Sequence, residues 1–287
     1  MKISFVAPAK CLDPEHIHQA KIYLEKSGFV VSMGTYITCQ DHYFSASDEQ
    51  RAMDLQQAFD DKTTDFIFCV RGGYGTIRIM QKLDFTEFCK RPKKVMGFSD
   101  ITVLHNQMRI LGIPSVHCTM PSVFTTSTAE SMRTMLNVML GQYNHYEFTS
   151  FPLNRTGQVE APVVGGNLSI LCSLTGTPLE LTTDKCILFI EDTNESIYAI
   201  ERMLLQLKLA GKFNNLKGLI VGSMTNISDT TISYGKTIEE VIDSIVKEYG
   251  FPVCYHFPAG HTKDNRAIIL GKKATLIINK QKVIFSQ

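Results

Sequence analysis

What the chain lacks narrows its function first. It has almost no charge imbalance: 29 Lys and Arg stand against 28 Asp and Glu, for a formal net charge of +1. That leaves no electrostatic footprint for nucleic acid or an anionic membrane surface. No apolar run approaches the roughly 18 residues that a membrane helix needs. The opening "MKISFVAPAK" holds only a short apolar stretch. It reads as a first buried strand, because a signal peptide needs a longer apolar core. Eight cysteines stand at 11, 39, 69, 89, 118, 172, 186 and 254, and none forms a CxxC pair. Zinc spacing is therefore absent, and a disulfide scaffold does not suit a chain of this length. Reduced, mostly buried thiols and a cytoplasmic location are expected. No HExxH occurs among the eight histidines. His16 and His18 fall on different sides of a helix, which suits solvated surface and not a metal. No metal and no cofactor are expected.

What is present reads as two modest units or one large one. Of the 287 residues, 44% are hydrophobic, enough for a full core. The first half alternates strand-like and helix-like segments. "KISFVAPA", "FVVSMG", "TDFIFCVRGG", "KKVMGF" and "PSVHCTM" are strand candidates. "DPEHIHQAKIYLEKSG" is a helix opened by Asp13-Pro14 and closed by Gly28. "SDEQRAMDLQQAFDD" starts with Ser47 and has Gln50 three residues on, a capping box. This rhythm predicts a parallel sheet covered by helices on both faces, with ligands bound at the carboxyl ends of the strands. It loosens near Tyr143. The reading is an α/β domain over 1–145, a linker over 146–164, and a smaller α+β domain over 165–287. The second unit holds the strands "CILFIED", "LKGLIVGS" and "ATLIINKQKVIFS" and the helices "SIYAIERMLLQLKLAG" and "KTIEEVIDSIVKEYG". No repeat or low-complexity tract is visible.

Ser99 sits where the strand "KKVMGF" turns into a helix whose apolar face is Ile101, Leu104, Met108 and Leu111. Two readings stand. It is a helix N-cap, accepting from the free N–H groups of the first turn. Or it is a nucleophile pushed out at the sheet's carboxyl edge, beside N–H groups that favour negative charge. The G-x-S-x-G pattern is only half met, with Gly97 present and Ile101 in place of the second glycine. "CVRGGYGTIRIM" supplies a second glycine-rich strand end. One N–H there and the N–H of Asp100 could form an oxyanion hole. A phosphate loop is disfavoured, since neither GxGxxG nor GxxxxGK[ST] is met.

"RGGYGTIRIM" followed by "KKVMGFSDITVLH" closely resembles the LD-carboxypeptidase family of serine peptidases. "VGGNLSIL", "ILFIEDTNESIYAIERML" and "FPAGHTKDNRAIILGKKATL" continue the resemblance in order, and it spans essentially the whole chain. The resemblance implies a flavodoxin- or amidotransferase-like α/β domain, a smaller second domain, and an active site in the cleft between them. It implies a Ser–Glu–His triad at Ser99, Glu191 and His261. It places oxyanion donors at the backbone N–H groups of Gly73 and Asp100, and substrate contacts at Tyr74 and Asn167. The implied reaction is hydrolysis of an L,D amide that releases the terminal D-alanine of murein tetrapeptide, by a homodimer without metal or cofactor. A same-fold self-immunity hydrolase acting on an aminoacyl- or peptide-nucleotide antibiotic, and a non-catalytic binder of small anions, are the alternatives. Asp192 and Glu195 are rivals to Glu191; His105, His256 and His117 are weaker rivals to His261. Two departures fall at Ala9, where the family often has serine, and at Cys118-Thr119, where it often has His-Gly-Pro. Both are expected at the cleft wall.

Overall fold

A computed structural model describes all residues, 1–287. The first half runs β1 (Lys2–Val6), α1 (Pro14–Lys26), β2 (Val30–Met33), α2 (Asp48–Asp60), β3 (Phe66–Cys69), α3 (Thr76–Ile79), α4 (Thr86–Lys90), β4 (Lys94–Gly97), α5 (Thr102–Ile110), β5 (Ser115–His117) and α6 (Ala129–Met139). The second half runs β6 (His145–Thr149), β7 (Gly157–Asn167), α7 (Leu168–Leu174), β8 (Ile187–Thr193), α8 (Ile197–Leu209), β9 (Gly218–Thr225), α9 (Ile238–Val246), β10 (Val253–Cys254), β11 (Ile268–Leu270), β12 (Lys273–Ile278) and β13 (Lys282–Ser286).

Two sheets result. The first has the order β11-β5-β4-β3-β1-β2. Its five strands from the first half are parallel, and β11 closes one edge antiparallel to β5. The second has the order β10-β9-β8-β7-β12-β13-β6. It is parallel from β7 to β10 and antiparallel from β7 to β6. The inner parallel strands β1, β3 and β4 are buried on both faces, as crossover helices require. Alternate residues feed opposite cores: Ile3, Phe5, Phe66 and Phe68 pack on one face of the first sheet, and Val6, Ile67, Cys69 and Val95 on the other. In β8, Leu188 and Ile190 face one core while Ile187 and Phe189 face another. The mixed α/β class with two units is as the patterning predicts. The capping box at Ser47 and Gln50 is present.

The linker is a correction. Residues 146–164 hold most of two strands, β6 on the outer edge beside β13 and β7 at the centre of the second sheet. Only 150–156 is irregular, and Arg155 there bridges to Val253. The segment reads as loop because the first half of β7 alternates polar residues toward solvent, in "GQVEAP". Nor does the chain divide cleanly at one point, since β11 returns to the first sheet. Helix α6, which the strand–helix rhythm did not mark, covers the first sheet with Met132, Met135, Val138 and Met139. All eight cysteines are free thiols; Cys69, Cys118, Cys172, Cys186 and Cys254 are buried, Cys39 and Cys89 exposed.

Candidate active site

The corner after β4 is not a helix cap. Ser99 has φ 63°, in the left-handed region, where a residue with a Cβ sits at a cost of about 1–2 kcal/mol. Its side chain caps nothing; a short 3₁₀ turn, Ser99–Ile101, leads into α5. The backbone strain aims Oγ away from the helix and into the space between the two sheets.

His261 receives it. Its Nε2 lies 3.0 Å from Ser99 Oγ, and its Nδ1 lies 2.6 Å from Glu191 Oε2. A carboxylate only accepts, so Nδ1 carries the proton and Nε2 is the acceptor for the serine hydroxyl. Burial alone would push the His261 ring down, but the Glu191 charge and hydrogen bond, with a contribution from Asp192, hold it above the ordinary imidazole value. Glu191 is fully buried at the end of β8. Strand alternation separates it from its neighbour. Asp192 accepts instead from Asn167 Nδ2 and from the backbone of Ser169 and Thr193. Burial raises its carboxyl to about 6, with Glu191 adding to the rise against those bonds. Glu195 does not reach the imidazole, whose carboxylate partner is Glu191.

The turn that presents His261 is built for contact with Glu191. Gly260 has φ +118°, and a Cβ there would lie 2.8 Å from Glu191 Cβ and 2.9 Å from Oε2. Asn265 fixes this turn. Its Oδ1 accepts from Gly260 N–H (2.8 Å) and faces His117 Nε2 at 3.1 Å. The amide oxygen is thus identified by the backbone donor, and His117 must carry its proton on Nε2. Burial holds His117 well below the ordinary value, with His105, and then His261, adding to the fall against its bond to Asn265. Phe98 stands edge-on between the His117 and His261 rings.

The glycine strip closes the other side. A Cβ on Gly72 would fall 3.1 Å from Ser99 Oγ and 3.3 Å from the Asp100 nitrogen. Only a glycine lets the strip lie this close to the serine and to that N–H. Asp100 clips the strip in place, its Oδ2 accepting from Thr76 N–H at 2.9 Å. Arg51, almost fully buried, donates to the carbonyls of Pro8, Ala46 and Gly75. It ties three loops behind the strip and was not visible in the α2 pattern, where a charged residue reads as solvated face.

Around Ser99 and His261 lies an open cleft of about 400 Å³, lined also by Gly72, Gly73, Phe98 and Met120. Two expected contacts are not in its wall. Asn167 is buried and committed: Oδ1 accepts from Ser169 Oγ and Ile170 N–H, and Nδ2 donates to Asp192. It is the N-cap of α7. Tyr74 is exposed and leans on Phe44. Ala9, Cys118 and Thr119 are likewise buried, and their neighbours Lys10 and Met120 line the cleft in their place. His105 makes no bond to Ser99 or Glu191. It bridges Ser115 Oγ and the Gly97 carbonyl, and burial pushes its ring down to about 4. His256 pairs with Glu239 at 3.1 Å. No group of three His, Cys, Asp or Glu side chains could hold a metal ion.

A serine, an imidazole and a buried carboxylate in a cleft between an α/β sheet and a second sheet unit are the build of a hydrolase. The chain belongs to the LD-carboxypeptidase family, whose N-terminal domain matches residues 3–118 and whose C-terminal domain matches 160–276. It is thus a peptidase by family. It is 33% identical to the probable murein peptide carboxypeptidase of Bacillus subtilis over 96% of this chain and 88% of that one. The crystal structure of muramoyltetrapeptide carboxypeptidase from Oxalobacter formigenes superposes with a TM-score of 0.91 at 27% identity, covering 100% of this chain and 98% of that one. The microcin self immunity protein MccF, in complex with aspartyl sulfamoyl adenosine, matches with a TM-score of 0.87 at 19% identity, covering 100% and 96%. That likeness is of fold alone.

Proposed function

We propose that this chain is a serine carboxypeptidase that cleaves the L,D amide of a murein tetrapeptide and releases its terminal D-alanine. One observation carries the reading: the hydrogen-bonded series Ser99–His261–Glu191 at a strained corner in an open cleft. Ser99 Oγ attacks the carbonyl carbon while His261 Nε2 takes its proton. Glu191 holds the Nδ1–H tautomer and stabilises the imidazolium. The N–H groups of Gly73 and Asp100 receive the developing oxyanion. His261 then gives its proton to the leaving amine of D-alanine, and the acyl-serine is hydrolysed by water with His261 again as base. The likeness to the muramoyltetrapeptide carboxypeptidase of Oxalobacter formigenes supports the muramoyltetrapeptide as substrate class. A role in cytoplasmic cell-wall recycling agrees with eight free thiols. A homodimer is part of the same reading, and light scattering tests it.

The test is release of the terminal alanine from a tetrapeptide ending in D-alanine, beside the same peptide ending in L-alanine, with the freed amino acid measured in each case. Release from the first and not the second supports the reading. Release from neither refutes it.

A further inference from the structure

The cleft carries two cations that the hydrolytic scheme leaves unused. Lys10 and Arg71 both line it, and its wall contains no aspartate or glutamate. Both side chains are half-buried. Neither is paired with a carboxylate, although the protein's other arginines and lysines repeatedly are, as in Arg266–Asp264 and Lys282–Glu147. Lys10 Nζ stands 5.0 Å over the Tyr43 ring, a contact that leaves its N–H donors uncommitted.

Their backbones are fixed beside the nucleophile. Lys10 N–H donates to the Gly72 carbonyl at 3.3 Å. A Cβ on Gly73 would lie 2.7 Å from Lys10 Cβ. Arg71 directly precedes Gly72, the residue that faces Ser99 Oγ. Two unpaired positive charges in a partly closed cavity raise the local potential for an anion. The arginine adds a planar fork that matches a carboxylate. In a peptide cleaved one residue from its end, the terminal carboxylate lies about 3.5 Å of chain beyond the scissile carbonyl. That is within the span of side chains rooted at 10 and 71.

We propose that Lys10 and Arg71 together anchor the substrate's terminal carboxylate on the leaving-group side of Ser99, so that the enzyme removes a single C-terminal residue. This rests on the hydrolase reading above. The glycine strip then has two tasks: its N–H groups face the oxyanion, and its flanks hold the free carboxylate that only a chain end supplies.

The experiment compares a tetrapeptide ending in D-alanine as free acid with its C-terminal carboxamide, using wild type, Lys10→Met and Arg71→Met, with circular dichroism to establish folding. A charge-assisted hydrogen bond is the interaction lost. Wild type is expected to prefer the acid by about a hundredfold in kcat/KM, in line with the loss of charged contacts. Each variant is expected to lose about ten- to hundredfold on the acid, chiefly through KM, and little on the amide. Arg71→Lys, which keeps charge but not the fork, should fall between. Equal turnover of acid and amide by wild type overturns the anchor while leaving the hydrolase intact. So does an undiminished acid preference in both variants. Turnover of neither peptide by wild type overturns the hydrolase reading itself. AMP added as competitor separates a general anion site from a carboxylate site: weak inhibition supports the carboxylate anchor, and inhibition stronger than that by D-alanine contradicts it.

Discussion

Replacing Glu191 by glutamine isolates what the buried carboxylate does. The shape is kept, and one acceptor oxygen can still face His261 Nδ1, now 2.6 Å from Oε2. The charge is lost. Two unit charges about 4 Å apart at an effective dielectric near 20 attract by about 4 kcal/mol. Glu191 is fully buried and the His261 side chain is 21% exposed, so solvent screens little of it. At about 1.4 kcal/mol per decade, removing that attraction from a transition state with imidazolium character lowers kcat by roughly 10²–10⁴. The pH profile must move as well. In wild type, burial pushes the ring down and the Glu191 charge and bond more than offset it. The base acts when neutral, so activity rises as pH climbs through the His261 pKa, above the ordinary imidazole value. Without Glu191 the burial effect is left with only Asp192 against it. The acid limb of kcat/KM therefore shifts to lower pH while its plateau falls. Glu195→Gln is the control and should leave both unchanged. A Glu191→Gln enzyme with an unmoved limb and a plateau within tenfold of wild type would refute this account of the carboxylate.

Three further outcomes follow from the site. Gly260→Ala should abolish turnover and destabilise the fold by roughly 1–3 kcal/mol or more, because its Cβ meets the Glu191 carboxylate at a positive φ; kinetics and thermal melting check both. Asn265→Ala strips the buried N–H of Gly260 and the Nε2–H of His117 of their acceptor, at about 1–3 kcal/mol each. As a positioning residue it should lower kcat with little change in KM, and Asn265→Asp should recover part of the loss. EDTA should leave D-alanine release unchanged, because no cluster of metal-ligating side chains exists to be emptied; loss restored by an added metal would contradict this.

Local patterning made much of the first sheet legible, because parallel strands buried on both faces are short apolar runs between capped helices. The second sheet was harder. Its antiparallel half turns one face to solvent, so β7 begins as alternating polar residues and reads as loop. Ser99 was ambiguous for a physical reason: a serine before a helix has the local sequence of a cap, and only the positive φ tells otherwise. His261 and Ser99 lie 162 residues apart, so no periodicity links them; ordered motifs did. Those motifs also misled. Asn167 sits in a matching block, yet its side chain is spent on capping α7 and holding Asp192. Arg51 and Asn265 escaped notice because they act on buried backbone groups, and His117 was legible only as a rival base, not as the partner of Asn265. The signal for Asn265 was there, four residues after His261 on a glycine turn whose N–H groups need acceptors.

The most direct measurement of the central claim is D-alanine release from the tetrapeptide by Ser99→Ala, with folding established by circular dichroism and melting. Losing the nucleophile from such a series removes about 10⁶ in kcat. The account predicts a folded protein with no release above background at enzyme concentrations where wild type turns over freely. A folded Ser99→Ala enzyme that releases D-alanine at a rate near wild type would contradict it.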